Sequence, residues 1–392
     1  MYKEITHFKG LNTLRFIAAS LVVLHHSATI GRKYELFNIE NFSLFRNGAN
    51  AVSFFFVLSG FLITYLLLKE KNQTKTISIK SFYLRRVKRI WPLYFLLIFI
   101  GTIFLPCFFS FFNIDYQMPY TLSQTWYYFL FFFPILVLFN YGNHFLEPLW
   151  SIGVEEVFYL IWAPLFKFIK KSLIPILFII AIKLSLSIYI QIQGIDTSTN
   201  LFAFLIHNYS FETMAIGALG AYLLFTTPPY KSLETSILFA KPIKYLLYLI
   251  VIIYLCFNIN IDNCIWNFVF KTPVLSPLII SLLYLYIIIS YTLSFKEKKE
   301  NKTLFFLGEI SYGIYMYHMG VMFFVVLIFS KLKAFIPNTL LIITFLIAVF
   351  LLTIVISSLS KRYFENFFSK KKRKKSKKNL KKVKKKFLNS LY

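Results

Sequence analysis

Apolar residues in this chain gather into runs of roughly twenty, separated by short polar links, and these runs set its architecture. Eleven can be marked: 11–30, 48–68, 90–112, 122–141, 148–166, 172–192, 200–226, 245–260, 273–294, 304–330 and 338–360. At ~1.5 Å of rise per residue, helices of this length suit a hydrocarbon layer ~30 Å thick, so the expected class is an all-α polytopic membrane protein. No soluble domain or internal repeat interrupts the pattern. No cleavable signal pattern precedes the first run, which is expected to stay in place as a signal anchor.

The charge of the links decides the expected count. Strongly basic stretches lie at 69–89, 167–171, 231–244 and 295–302, and from 361 onward. If all eleven runs crossed from a cytoplasmic N-terminus, the 167–171 link and every later basic link would face outward, against the positive-inside bias. Treating 122–141 as re-entrant or interfacial returns all five, and both termini, to the cytoplasm. Pro134 in the middle of that run suits a broken helix. The expectation is therefore about ten transmembrane helices plus one re-entrant or interfacial segment. They form one cell-membrane domain at 1–368, followed by a disordered, lysine-rich cytoplasmic tail at 369–392.

Composition sharpens this picture in two places. The chain is 392 residues long, 58% hydrophobic and 20% aromatic, with a net charge of +27. A charge that large raises nucleic acid as a partner, but thirteen of the cationic residues sit in 370–386 and much of the rest lies in the links. That distribution fits anionic headgroups beside a membrane, or a merely solvated tail, and no nucleic-acid partner is expected. Cys107, Cys256 and Cys264 show neither metal-ligand spacing nor a disulfide framework; they read as packing residues, and no metal is expected.

Ionisable groups inside lipid spans are costly and usually mark function. Arg15 and His26 are eleven residues apart in the first run, about 20° past three full helical turns and about 16 Å along the axis. They share one face at two depths, with the arginine toward the cytoplasm, whereas His25 points about 80° away. In the run from Pro148 to Trp162, Ser151, Glu155, Tyr159 and Trp162 form one stripe, and Glu156 lies about 100° off it. Glu155 is expected at a depth similar to His26, where a carboxylate can hold an imidazole's tautomer and stabilise its cation.

Arg86 and Arg89, three residues apart in FYLRRVKRIWPLYF, share a face that could fork around phosphates. Ser311, Tyr315 and His318 align on another stripe, and Glu212 lies in a run whose Gly217, Gly220 and Ala221 suggest close helix packing. Ser151, Tyr315, His318 and Glu212 are candidates to line a channel.

Each residue also has a plainer role. Arg15 could snorkel, Glu155 could satisfy a helix N-terminus, Arg86 and Arg89 could be ordinary positive-inside charge, and either histidine could bond a neighbouring helix. Lys183 could snorkel or pair with an acid. Phosphate-binding glycine loops and nucleophile elbows are absent.

Taken together and in order, these stretches resemble the acyltransferase-3 family, the membrane-bound O-acyltransferases of O-antigen, peptidoglycan and exopolysaccharide. The matching parts are LNTLRFIAASLVVLHHS with Arg15 and His26, FFFVLSGFLI, RRVKRIWPLY with Arg86 and Arg89, PLWSIGVEEVFYLIW, and LGEISYGIYMYH. The resemblance covers Leu11 to about Phe368. It implies that His26 is the essential membrane histidine, that Arg86 and Arg89 help hold the donor, and that Glu155 is the acid of a Ser-x-x-x-Glu element. It further implies a cytoplasmic acyl-CoA donor and an acceptor at or beyond the outer side. Many relatives carry a fused extracytoplasmic hydrolase-like domain, which is not seen here. The expectation is therefore a stand-alone form acting on lipid-linked glycans or small acceptors rather than on peptidoglycan.

The leading expectation is an O-acyltransferase without a bound cofactor, moving an acetyl group from acetyl-CoA to a hydroxyl of a surface or lipid-linked saccharide. His26 and Glu155 would be catalytic, with His26 acting as general base or acyl relay, and Arg15, Arg86 and Arg89 would bind the donor. The competing classes are a proton-coupled secondary transporter or flippase using the same residues, and a scaffold for glycan assembly.

Overall fold

The computed structural model describes residues 8, 10–113, 119–142, 145–227, 236–258, 261–294 and 300–368; the lysine-rich tail lies outside them. Eight helices among the described residues are long and apolar enough to cross a membrane. They are α1 (Leu11–Lys33), α2 (Gly48–Thr74), α3 (Ile79–Phe111), α6 (Leu149–Phe168), α7 (Leu173–Ile192), α12 (Leu275–Ser294), α14 (Ser311–Leu332) and α15 (Asn338–Phe368). Between them lie α4 (Leu122–Leu130), α5 (Pro134–Tyr141), α8 (Leu201–Asn208), α9 (Phe211–Thr226), α10 (Lys241–Phe257), α11 (Cys264–Lys271) and α13 (Lys302–Glu309).

The run at 122–141 folds as two short helices. Phe132 adopts a left-handed φ of 62° and Pro134 opens the second helix, so the chain turns where a continuous helix would need an amide hydrogen. Nine residues rise only about 13 Å, far short of a bilayer. The break packs inward, because the Phe132 ring lies 5.2 Å from Trp91 and 4.8 Å from Tyr94, and the Tyr94 hydroxyl donates to the Phe129 carbonyl at 3.0 Å. The run at 200–226 is also broken, at Tyr209 and Ser210, and Glu212 consequently sits in the first turn of a sixteen-residue helix.

Helix α2 is the centre of the bundle, with 72% of its apolar window buried against 22% for α15. It crosses α9 at backbone contact. A Cβ on Gly60 would lie 1.9 Å from the Met214 carbonyl oxygen, and one on Gly217 would lie 2.0 Å from that of Val57. Without a hydrophobic drive between helices in lipid, small residues that permit such approach supply the packing. Gly60→Val should therefore lower stability by about 3 kcal/mol by overpacking against unyielding backbone. A thermal midpoint in detergent equal to that of the wild type would contradict this crossing.

Polar side chains finish the helix ends. Lys71 donates to the Phe166 and Ile169 carbonyls at 2.8 and 2.9 Å, capping the C-terminus of α6, and Ser78 accepts the Ser81 amide at the start of α3. The start of α1, the ends of α2 and α6, the start of α3, α13 and the π-turn Ser360–Glu365 of α15 all meet at one end of the bundle, its basic end. Two of the three cysteines, Cys107 and Cys264, are exposed on the helix surface rather than packed inside.

Candidate active site

The basic end encloses a cavity of about 610 Å³. Its wall carries Arg15 from α1, Arg86 and Arg89 from α3, and Glu155 from α6. Helical spacing accounts for this convergence, since Arg86 and Arg89 lie one turn apart and turn to the same side. Arg85, one residue off that face, instead pairs with Glu70 at 3.0 Å.

Glu155 is the hub of the cavity. Ser59 donates to its Oε1 at 2.9 Å and Tyr159 donates to its Oε2 at 2.7 Å. Arg15, Arg86 and Arg89 lie close enough to couple electrostatically with it. Arg15 donates to Asn12 Oδ1 at 3.2 Å, and the Arg86 guanidinium rests 5.8 Å from the ring centres of both Phe82 and Tyr159. Aromatic faces are a favourable seat for a guanidinium that must remain charged away from water. Glu156, off the stripe, accepts the Trp91 indole at 3.1 Å and ties α6 to α3.

The lining has hydrogen-bonding capacity to spare. Arg86 Nε and Glu365 Oε1 are buried without partners among the described residues, and Lys361, 3.3 Å from Glu365 Oε2, adds a fourth cation. Three guanidiniums and an ammonium share this lining with three carboxylates, Glu155, Glu309 and Glu365, and the cationic excess suits a ligand with anionic oxygens.

Toward the other end the cavity stops at a polar partition. The hydroxyls of Ser151 and Tyr315 are 2.7 Å apart and the Pro148 carbonyl oxygen lies 3.2 and 3.1 Å from them, so one hydroxyl hydrogen bridges the pair and the other goes to that carbonyl. Beyond Tyr315 stand three imidazoles in a row. His26 lies between His25 and His318, each ring centre 5.1 Å from its own. His25 Nδ1 is 3.1 Å from the Phe45 carbonyl, and His318 Nδ1 is 2.6 Å from that of Tyr315. Just before α6, burial pushes the Glu147 carboxyl up to about 7, with Lys33 pulling it back down.

Glu155 is therefore not brought to His26, the partner that depth along the sequence suggests. Helices α6 and α14 run in opposite directions and are level at Ser151 and Tyr315. From that level Glu155 lies four residues, about 6 Å, toward the basic end, and His318 lies three residues, about 4.5 Å, the other way. The carboxylate joins the arginines and the imidazoles keep their own company.

Ser151 and Tyr315 line the cavity, whereas His26 and His318 stand beyond its described wall. Glu212, also expected to line a channel, instead faces Lys183 at 3.6 Å in a buried ion pair between α9 and α7. Lys183 additionally donates to the Ile206 carbonyl. Ser59, Lys361 and Glu365 belong to the site although spacing does not single them out. Ser59 is hidden in an apolar run, and the Lys361-x-x-x-Glu365 spacing, one helical turn, passes for the start of the basic tail.

A family described as an acyltransferase domain matches residues 8–360. A Staphylococcus aureus (strain COL) protein that carries an O-acetyltransferase name is 31% identical over 353 residues, covering 83% of this chain and 52% of that protein. The O-acetyltransferase OatA of Staphylococcus aureus (strain NCTC 8325 / PS 47) is 28% identical over 340 residues, covering 81% and 51%. The chain thus spans about half the length of these relatives. No solved structure matches it.

Proposed function

Since this chain belongs to the acyltransferase-domain family matched by its residues 8–360, we propose that it moves an acyl group, acetyl in the first instance, from acyl-CoA to a hydroxyl of a surface or lipid-linked saccharide. The observation that carries the reading is the pairing of a polycationic cavity at one end with an imidazole row just past its far wall. Arg15, Arg86 and Arg89 hold the donor's phosphates, with Glu155 spacing the three guanidiniums. The thioester lies toward Ser151 and Tyr315. His26 takes the proton of the incoming hydroxyl or carries the acyl group itself.

In this reading the basic end faces the cytoplasm. The eight long helices together with α9 and α10 make ten crossings, and α4 and α5 form the re-entrant segment, entering from the outer end and turning at Phe132 beside Trp91 and Tyr94. The donor then enters from the side where acyl-CoA is made, and the acceptor is met on the other.

The test is consumption of acetyl-CoA by the purified protein in lipid vesicles. Turnover of the thioester is expected; solute flux without thioester loss would instead establish a transporter. Arg86→Ala and Arg89→Ala should each raise the KM for the donor about 10- to 100-fold, the worth of one charge-assisted contact, with a smaller change in kcat. An unchanged KM in both would remove the arginines from donor binding.

A further inference from the structure

A second cavity, of about 560 Å³, opens at the basic end and shares no lining residue with the arginine cavity. The ends of α2 and α9, the link from α6 to α7 and the start of α7 form its wall. Four lysines line it, Lys71 and Lys75 at the end of α2 and Lys170 and Lys171 in the link. No carboxylate joins them among the described lining residues. The acid nearest Lys71 in sequence, Glu70, is engaged by Arg85 at 3.0 Å and by the Ser78 amide at 2.8 Å.

The positive-inside bias asks only that cations lie on one side of the membrane; it does not gather four around one opening against their mutual repulsion. Lys71 is moreover held in place by the Phe166 and Ile169 carbonyls, at 2.8 and 2.9 Å. An ammonium has three hydrogens, so one is left for a further acceptor. Lys75, Lys170 and Lys171 are exposed and make no ion pair among the described residues.

Deeper along α2, α7 and α9 the wall turns apolar. Leu68 and Phe225 are buried there, whereas Ile174 and Leu177 line it and remain 52% and 49% exposed. Both belong to α7, of whose apolar window only 28% is buried, as suits a helix that faces hydrocarbon. A soluble anion has no use for such a wall. The chemistry fits an occupant with anionic oxygens level with the helix ends and hydrocarbon reaching inward along α7.

We propose that this cavity binds an anionic phospholipid, its phosphate among Lys71, Lys75, Lys170 and Lys171 and its acyl chains along Ile174 and Leu177. The site belongs to the helix bundle and is additional to the attraction of headgroups by the lysine-rich tail. It requires only that the chain sits in a bilayer and is independent of the transfer reaction. A lipid seated there bridges α2, α7 and α9 and stabilises their packing by mass action.

The full-length protein, purified in neutral detergent, is titrated with phosphatidylglycerol while its thermal midpoint is followed. Phosphatidylcholine with the same chains, glycerophosphoglycerol without chains, and inorganic phosphate are titrated in parallel. Phosphatidylglycerol is expected to raise the midpoint by about 3–5 °C at saturation, and each of the others by less than about 1 °C. Lys170→Gln combined with Lys171→Gln should require about 10- to 30-fold more lipid for the same rise, at about fivefold per lysine. Lys80→Gln combined with Lys88→Gln removes equal charge from exposed positions of α3 outside the cavity and should change the requirement less than about twofold. The pull of the tail on headgroups is common to all forms and cancels.

Equal stabilisation by phosphatidylcholine, or no response to phosphatidylglycerol, overturns the proposal. Equal loss in the two double variants overturns it by showing that general surface charge recruits the lipid. Stabilisation by inorganic phosphate or glycerophosphoglycerol at matched concentration overturns it in favour of a soluble anion.

Discussion

Replacing His26 with alanine should reduce acyl transfer by about 10²- to 10⁴-fold while leaving the protein folded and membrane-inserted, the range expected when a positioned acid–base group is removed. The argument is one of place. His26 shares a helix face with Arg15 about 16 Å away, and the structure fills the interval with the cavity and its partition at Ser151 and Tyr315. Within the row His25 and His318 each direct Nδ1 to a backbone carbonyl, and His26 is the ring packed against both. The truncation leaves a small void between α1 and α14, so its structural cost should be modest beside its catalytic one. Alkali-labile acyl groups on surface glycans of cells carrying each form give the measurement. Equal ester content at equal expression would remove His26 from the chemistry.

The second large effect is on stability. Glu155→Ala withdraws the carboxylate against which Arg15, Arg86 and Arg89 are arranged and leaves the Ser59 and Tyr159 hydroxyls without their acceptor. Removing one partner from a buried charge cluster typically costs about 3–5 kcal/mol, because the remaining charges stay desolvated and repel one another. Thermal or denaturant unfolding in detergent should show this loss. Adding Arg86→Ala should return part of it, since the second substitution removes a charge that the first left unbalanced. Glu155→Gln, which keeps an acceptor oxygen but no charge, should fall between. Strictly additive losses in the double variant would argue that Glu155 and Arg86 do not interact.

Much of this arrangement can be read along the chain, for a definite reason. A helix's own periodicity determines which of its residues look the same way, so the Arg86–Arg89 face, the Ser151–Glu155–Tyr159–Trp162 stripe and the kinked character of 122–141 follow from spacing and one proline. What periodicity lacks is the axial register between helices far apart in sequence. The level of α6 against α14 is set by contacts such as Ser151 with Tyr315, and it separates Glu155 from His26. The same gap explains Glu212, whose partner Lys183 lies on another helix, and Lys361, whose place on the cavity wall depends on where the π-turn of α15 docks.

The partition of Ser151, Tyr315 and Pro148 has a consequence for the cell's energy supply. A polar passage continuous from the arginine cavity to the histidine row would conduct protons across a membrane whose potential drives about 2.3 kcal/mol per charge for every 100 mV. Between the arginine cavity and the histidine row the Ser151 and Tyr315 hydroxyls and the Pro148 carbonyl are bonded to one another instead of standing open to water. On the proposed function, a hydrophilic reaction site inside the bilayer then stays separated by this bonded trio from the side that takes in the donor.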